Sequence, residues 1–282
     1  MLKNLKSRLK QKKKITKPWY KLKSTINSII RFIPLFHKTY NPNLKAIGLE
    51  ISTACNLSCI NCENSCRQAP SSEFMSLEQI EKFVDESIEL NWDWNIIKLR
   101  GGEPTLHPQF FEVLKIIKRC KDLNPRCKII LQTNGQGKKV NEILSKIPDW
   151  VEVHNEGKEI GYISSYFSSY NVAPIDLSNY RLFADFTKGC FRAEECNIGL
   201  TRYGYYPCSP GGSSDRIFGF NIGLKKLSEV KDKALRAQMN KLCRYCGHYK
   251  EPNEYVKGEK MSKSWVNAYK KYKKQKPGLS LY

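Results

Sequence analysis

The sequence predicts an α/β fold because short apolar strands alternate with amphipathic helices after residue 44. Four strands are expected, at residues 47–53, 95–99, 128–132 and 150–154. Helices are expected between them, at about 76–90, from Pro108 onward, and at about 138–147. Because repeated strand–helix–strand units give parallel strands with right-handed crossovers, we expect a partial TIM-like (β/α) barrel.

Local signals set the ends of these helices. Ser76 and Gln79 have the spacing of a capping box, and a buried stripe of Leu77, Ile80, Val84 and Ile88 follows them. Pro108 suits the first turn of the second helix, whereas Pro148 stops the third. Two further barrel strands are expected at Val172–Asp176 and Phe183–Phe186, with residues 162–170 as a loop over the barrel mouth.

The second half of the chain is rich in cysteine and predicts a hairpin. Its strands are expected at Asn197–Thr201 and Tyr205–Cys208, joined by a turn at Arg202–Gly204. We therefore expect a small C-terminal cysteine-rich β-hairpin domain. The predicted organisation is a basic extension (1–45), a core (46–188), a cysteine-rich domain (189–256) and a basic tail (257–282).

The formal charge of +21 on 282 residues is concentrated at the two ends. Residues 1–45 contain 13 Lys or Arg and no acid, and residues 257–282 contain eight Lys and one acid, so the core is nearly neutral. The first 23 residues have the pattern of a basic amphipathic helix. The ends are expected to contact an anionic membrane surface or nucleic acid, or to be solvated extensions.

The 11 cysteines indicate metal ligation in a reducing compartment, because no signal peptide accompanies them. We expect a cytoplasmic protein that sits on a membrane surface at most. The apolar segment 26–36 is too short to span a bilayer and is interrupted by Arg31 and Pro34.

Three thiols follow the first strand at C-x3-C-x2-C spacing: Cys55, Cys59 and Cys62. Three thiolates on one loop suit an iron–sulfur cluster whose fourth iron has no protein ligand. A zinc knuckle or three unrelated thiols are the alternatives. Gly101-Gly102-Glu103-Pro104 follows the second strand, and Thr133-Asn134-Gly135 follows the third. All three motifs end strands, where the active sites of (β/α) barrels are built.

These motifs resemble the signatures of the radical S-adenosylmethionine (radical SAM) family. The resemblance implies that the three cysteines hold a 4Fe-4S cluster, which binds SAM and cleaves it reductively to a 5'-deoxyadenosyl radical. It further implies that SAM is seated by Gly101, Gly102, Glu103 and Asn134. An external one-electron donor such as flavodoxin or ferredoxin is then the expected partner.

A second set of cysteines resembles the twitch domain, a shortened SPASM module that binds one auxiliary 4Fe-4S cluster. The ligands that this resemblance implies are Cys190, Cys208, Cys243 and Cys246, with Cys196 as an alternative to Cys190. A structural zinc site with four cysteine ligands is the other interpretation. Cys66, Cys120 and Cys127 are expected to be ordinary reduced thiols.

The resulting hypothesis is a radical SAM oxidoreductase that takes a hydrogen atom from a substrate carbon and oxidises a small hydroxylated molecule. His154, at the carboxyl end of the fourth strand, is the candidate base, with a ribose contact or a structural histidine as alternatives. A peptide- or protein-modifying radical SAM enzyme is the runner-up, because 45 lysine-rich residues are too few for a leader-binding domain. A zinc-stabilised nucleic-acid-binding protein is the alternative from another class.

Overall fold

A computed structural model describes residues 38–157, 170–177, 184–249 and 260–282. The predicted N-terminal amphipathic helix and the apolar segment 26–36 lie outside the described residues, as does the loop expected at 162–170 apart from Tyr170. Six strands form one sheet: β1 (Ala46–Ser52), β2 (Ile96–Gly101), β3 (Lys128–Thr133), β4 (Val151–Asn155), β5 (Ile198–Thr201) and β6 (Gly204–Tyr206).

Seven α-helices occur in these parts of the chain: α1 (Leu77–Glu89), α2 (Phe110–Leu123), α3 (Lys138–Leu144), α4 (Phe191–Glu195), α5 (Ser209–Phe218), α6 (Asp232–Leu242) and α7 (Lys263–Lys274). Short 3-10 turns lie at Pro104–Leu106, Pro174–Asp176, Phe186–Lys188, Leu227–Glu229 and Gly247–Tyr249. The α1 helix begins as predicted, since Ser76 Oγ accepts from Gln79 N and the Gln79 side chain accepts from Ser76 N.

The sheet has the strand order β4-β3-β2-β1-β5-β6, and all its pairs are parallel except β5 with β6. The four predicted core strands therefore lie side by side in sequence order. Ile47, Leu49 and Ile51 alternate along β1 and join the hydrophobic core with residues of α1 and α2. The expected α/β fold, with the strand–helix repeat of a partial TIM-like barrel, is confirmed.

The two further barrel strands expected after β4 differ from what the structure shows. Pro174–Asp176 forms a 3-10 turn, because Pro174 has no N–H for a ladder and suits the first position of the turn. Phe183 lies outside the described residues, and Phe186 begins another 3-10 turn. The Asp185 side chain caps that turn by accepting a hydrogen bond from Thr187 N. The prediction of a strand at Val172–Asp176 is therefore wrong.

The predicted hairpin is present as β5 and β6, but it extends the core sheet. Ile47, Gly48, Leu49 and Glu50 of β1 pair in parallel with Ile198, Gly199, Leu200 and Thr201 of β5. The β1 strand thus lies between β2 and β5 and hydrogen-bonds to both. The cysteine-rich region consequently shares the backbone ladder of the core and is rigidly placed beside the end of β1.

The basic C-terminal segment differs from the tail that its charge predicted. In α7, Trp265, Tyr269 and Tyr272 are buried against Tyr170 and Ile217, while the lysines lie on the outer side. Tyr282 is also held, since its hydroxyl donates to Glu86 Oε2 at 2.9 Å. None of the helices in the described ranges is long and apolar enough to cross a membrane.

The Trp265→Ala variant tests whether α7 is an integral part of the fold. Trp265 is fully buried and donates from Nε1 to Tyr245 O at 2.7 Å, so we expect its removal to lower the free energy of unfolding by about 3–5 kcal/mol. Urea unfolding of the apoprotein measures this. The matched control on the outer side of α7, Lys271→Ala, should change it by less than about 0.5 kcal/mol. Equal stability of the two variants would contradict this packing.

Candidate active site at the carboxyl edge of the sheet

The three sequence motifs meet at one cavity of about 280 Å³ beyond the carboxyl ends of β1, β2 and β3. Cys55, Cys59 and Cys62 line it from the loop after β1, which we call the first cysteine loop (residues 55–62). The other walls are Gly101 and Gly102 after β2, Gln132, Thr133 and Asn134 at the end of β3, and the side chains of Glu63, Asn64, Arg100, Glu156 and Arg192. The structure therefore brings together residues that are far apart in sequence.

The two glycines at the end of β2 are required by the close approach of the backbone at residues 52–54, directly before the first cysteine loop. A Cβ atom on Gly101 would lie 2.1 Å from Ser52 O, and one on Gly102 would lie 2.3 Å from Ala54 O. These distances are far below van der Waals contact, so any side chain would push the strand away from the loop. The backbone fills that space with hydrogen bonds, from Gly102 N to Ser52 O (2.8 Å) and from Glu103 N to Ala54 O (2.7 Å).

Glu103 connects the second motif to the third. Its carboxylate is fully buried, and its Oε1 accepts from Thr105 Oγ1 at 2.8 Å and from Thr133 Oγ1 at 2.9 Å. Its Oε2 accepts from Asn134 N at 2.8 Å. A buried carboxylate with this many donors is well satisfied. Glu103 therefore holds the turn after β3 in place, while its predicted contact with SAM stays a prediction.

Asn134 connects the third motif back to the first cysteine loop. Its Nδ2 donates to Asn56 Oδ1 at 2.9 Å and lies 3.9 Å from Cys55 Sγ. Asn56 in turn donates from Nδ2 to Gln136 O at 2.6 Å. Hydrogen bonds thus join the loop after β1 directly to the turn after β3. Sequence reasoning missed Asn56, because an Asn in a loop carries no signal without its partner.

Two thiols of the first cysteine loop, Cys55 and Cys62, lie in an environment that favours thiolates. A hydrogen bond with the Cys66 thiol is the largest effect on Cys62 and, with backbone N–H donors, lowers the pKa of Cys62 to about 6. The same thiol lowers the pKa of Cys55, which also accepts from Leu57 N at 3.4 Å. Cys66, expected to be an ordinary thiol, is therefore a neighbour of two predicted cluster ligands.

The segment after the first cysteine loop is held by α5 and α7. Arg216 of α5 is almost completely buried, and its guanidinium donates to Asn64 O at 2.8 Å, Ala69 O at 3.2 Å and Tyr272 Oη at 2.8 Å. The hydroxyls of Ser65 and Tyr269 are hydrogen-bonded at 2.8 Å. The position of the loop thus depends on helices that follow it by more than a hundred residues.

The second set of cysteines lines a separate, small cavity enclosed by the β6–α5 connection and the end of α6. Cys190, Cys208, Cys243 and Cys246 all face this cavity, with apolar neighbours that include Pro207 and Leu242. Cys196 is not among its lining residues, and its Sγ instead accepts from Arg192 Nη1 at 3.6 Å. The geometry thus favours the ligand set with Cys190, although the group that it holds stays a prediction.

The environment of the second cysteine group opposes thiolate formation in the absence of a bound cation. Burial raises the pKa of Cys190 to about 11, although hydrogen bonds from the backbone N–H groups of Arg192 and Ala193 oppose the rise. Burial, followed by repulsion from the Cys190 thiolate, raises the pKa of Cys208 to about 12. Burial likewise raises the pKa values of Cys243 and Cys246 well above the usual range. Four sulfur donors that line one cavity, with no carboxylate among its lining residues, fit a soft metal centre, which would supply the missing positive charge. Across the described residues, no three His, Cys, Asp or Glu side chains are already arranged around a single metal position.

An ion-pair group lies between the two sets of cysteines. The Glu63 carboxylate is 3.1 Å from Arg192 Nη2 and 3.0 Å from His248 Nε2. Burial alone would raise the pKa of Glu63, but the charges of Arg192, His248 and Arg100 outweigh it and hold the pKa well below its usual range. Arg192 lines both cavities, so its side chain forms part of the wall between them.

His154, the candidate base, lies on β4 but is not among the residues that line the first cavity. Its side chain is exposed, and Nε2 is 2.7 Å from Glu152 Oε1. Alternation along the strand puts His154 on the same face as Glu156, which does line the cavity and accepts from Gln132 Nε2 at 2.9 Å. Its role as a base stays a prediction.

Comparison with known proteins indicates the same superfamily that the three sequence motifs resemble. Residues 49–157 match the model of the Radical SAM superfamily. A probable GTP 3',8-cyclase of Methanococcus maripaludis is 33% identical over 98 residues, which are 34% of this chain and 30% of that protein. The AdoMet-dependent heme synthase of Methanosarcina barkeri is 25% identical over 91 residues, which are 32% of this chain and 24% of that protein. The chain thus spans less than a third of the length of these curated relatives.

Among solved structures, the crystal structure of BtrN in complex with AdoMet and 2-DOIA resembles this chain at a TM-score of 0.44 and 16% identity. The superposition covers 76% of this chain and 97% of that one. The sequence match, in contrast, spans the strands and loops that carry all three motifs of the first cavity. Residues 49–157 therefore constitute a radical SAM domain.

Proposed function

We propose that this chain is a radical SAM oxidoreductase that takes a hydrogen atom from a carbon of a small hydroxylated molecule and oxidises it. The observation that supports this most is the convergence of the three motifs on one cavity, with the thiol of Cys62 poised as a thiolate. The volume of about 280 Å³ suits part of a cofactor together with a small substrate better than a folded polypeptide.

Under this proposal, Cys55, Cys59 and Cys62 would hold a 4Fe-4S cluster, and SAM would be seated by Gly101, Gly102, Glu103 and Asn134. With SAM bound, such a cluster would supply a 5'-deoxyadenosyl radical for abstraction of a hydrogen atom. The residues of the chain would bind SAM and the substrate and orient them. The glycines let the backbone approach closely, while the Glu103 network keeps the turn after β3 rigid.

The second cysteine group is proposed to hold an auxiliary 4Fe-4S cluster, which would supply an electron acceptor. Its cavity is lined by all four expected sulfur ligands, which supports this choice. A zinc ion with the same four ligands is the alternative and would be structural. The Cys196 thiol accepts a hydrogen bond from Arg192 and does not line this cavity, so we propose Cys190 as the fourth ligand.

Oxidation of a hydroxyl-bearing carbon to a carbonyl removes the hydrogen atom on carbon, the hydroxyl proton and one further electron. His154 is proposed to accept the proton, because Glu152 Oε1 lies 2.7 Å from its Nε2 and can orient the ring. Asn155, the next residue on β4, lies against Gly135 of the third motif, so this part of the strand adjoins the site.

The remaining proposals concern partners and location. A small-molecule substrate and an external electron donor such as flavodoxin or ferredoxin are proposed, in the cytoplasm. The lysines on the outer side of α7 support contact of the basic C-terminal segment with an anionic membrane surface or nucleic acid. The similarity to a GTP 3',8-cyclase covers 34% of this chain, so it supports the shared radical chemistry and leaves GTP as a substrate to be tested.

The iron content after anaerobic reconstitution tests the assignment of both cysteine groups. Two 4Fe-4S clusters correspond to about eight irons per chain. Replacing Cys55, Cys59 and Cys62 together by Ala should remove about half of the iron and abolish SAM cleavage. The matched control, Cys120→Ala together with Cys127→Ala, should keep both the full iron content and SAM cleavage. About four irons with one zinc would show that the second group is a zinc site, and a zinc-only protein would overturn the proposed enzyme.

Replacing Cys243 and Cys246 by Ala tests the proposed oxidation. We expect the variant to cleave SAM still but to form little oxidised product, because the electron acceptor is lost. The measurement is the ratio of 5'-deoxyadenosine to a product about two mass units lighter than the substrate, with one SAM consumed irreversibly per turnover. Recovery of unchanged SAM, or a product of unchanged mass, would contradict oxidation.

The His154→Gln variant tests the proposed base. Without the imidazole as proton acceptor, product formation should fall about 10²-fold or more while the affinity for SAM is retained. The rate of product formation and the equilibrium binding of SAM measure the two effects. An unchanged rate in this variant would assign the base to another residue.

A further inference from the structure

We propose that Glu63 is a positioning residue that joins the two cysteine groups and sets the reduction potential of the second. This inference rests on the proposed function, because it assumes that both groups hold iron–sulfur clusters. It concerns the contacts of Glu63, which follows the predicted ligand Cys62 directly but belongs to none of the three motifs.

The contacts of Glu63 come from both sides of the wall between the cavities. Arg192 Nη2 lies 3.1 Å and His248 Nε2 lies 3.0 Å from Glu63 Oε1, and Arg100 Nη2 lies 4.0 Å from Oε2. Arg192 is two residues after Cys190, and His248 is two residues after Cys246. One carboxylate thus contacts the immediate neighbours of two predicted ligands of the second group, while its own backbone continues from a ligand of the first.

Burial makes these contacts stronger than ordinary surface ion pairs. The side chains are 25% exposed for Glu63, 13% for Arg192 and 2% for His248. The pair of Lys38 with Glu194 is shorter, at 2.7 Å, but its side chains are 63% and 37% exposed and therefore well screened. Charge at Glu63 is consequently felt across the wall, whereas charge at Glu194 is largely screened by solvent.

Two consequences follow from this arrangement. First, a displacement of the loop after Cys62 moves Arg192 and His248 with it, so the spacing of the two cysteine groups is fixed by a charged contact. Second, a fixed negative charge opposes the addition of an electron to either group, so it lowers both reduction potentials. Removing the carboxylate also takes away the negative charge that lies 3.1 Å from Arg192, so more of the positive charge of Arg192 acts on both groups and shifts both potentials in the same upward direction.

The test uses Glu63→Gln in the full-length reconstituted protein, without SAM or substrate, with reduction potentials measured by EPR-monitored redox titration. Iron content should stay at the wild-type level while the potential of each cluster rises. The matched control is Glu194→Gln, which removes an ion-paired carboxylate from α4 and should shift neither potential. A shift of the first cluster alone would overturn the proposal, because Glu63 would then act only on the adjacent Cys62.

A second measurement covers the case in which Glu63→Gln folds poorly. Glu63→Asp keeps the negative charge on a side chain that is one methylene shorter. The reduction potential of the second cluster should therefore rise by less than in Glu63→Gln. In the apoprotein, a double-mutant cycle of Glu63→Gln with Arg192→Gln should give non-additive changes in unfolding midpoint. Additive changes in unfolding midpoint, together with an unshifted reduction potential of the second cluster, would overturn the proposed role of Glu63. Wild-type protein without iron would overturn the proposed function, whereas the apoprotein cycle would still report the contact.

Discussion

The central position of β1 is the constraint on which the site depends. Because β1 pairs in parallel with β2 on one side and β5 on the other, its carboxyl end lies between the glycine pair and the cysteine-rich hairpin. The first cysteine loop leaves from that end. The residues between β1 and that loop therefore contact the second motif through backbone hydrogen bonds, and Glu63, directly after the loop, contacts Arg192 beside the second cysteine group. The two pairings of β1 thus set the relative positions of the first cysteine loop, the glycine pair and the hairpin that precedes Cys208.

The sequence predicts the parts of this site whose signals are local. The strands, the capping box at Ser76 and the loops that follow strands are each encoded within a few residues, and the structure contains them. Contacts such as Glu63 with Arg192 could not be predicted, since a lone Glu and a lone Arg separated by 129 residues carry no pairing signal. The strand expected at Val172–Asp176 is absent because Pro174 cannot donate a hydrogen bond to a neighbouring strand, although the apolar residues around it favour one.

Charge was the least informative part of the sequence for the fold. The lysines of the C-terminal segment suggested a solvated tail, but the three aromatic residues at helical spacing decide where α7 packs. The hydroxyls of Tyr269 and Tyr272 then reach Ser65 and Arg216, so this segment supports the loop after Cys62. A basic surface and a structural role therefore coexist on one helix, on opposite faces.

The two cysteine groups differ in how much of the chain must be folded before each can be loaded. The first group comes from eight consecutive residues, so a cluster can be inserted into a local loop with little loss of chain entropy. The second group has its thiols just before α4, in the β6–α5 connection and at and after the end of α6, around one cavity. These thiols come together only after the segments that carry them have packed beside the sheet. Under the proposed assignment, the second centre would therefore be completed on an already assembled sheet.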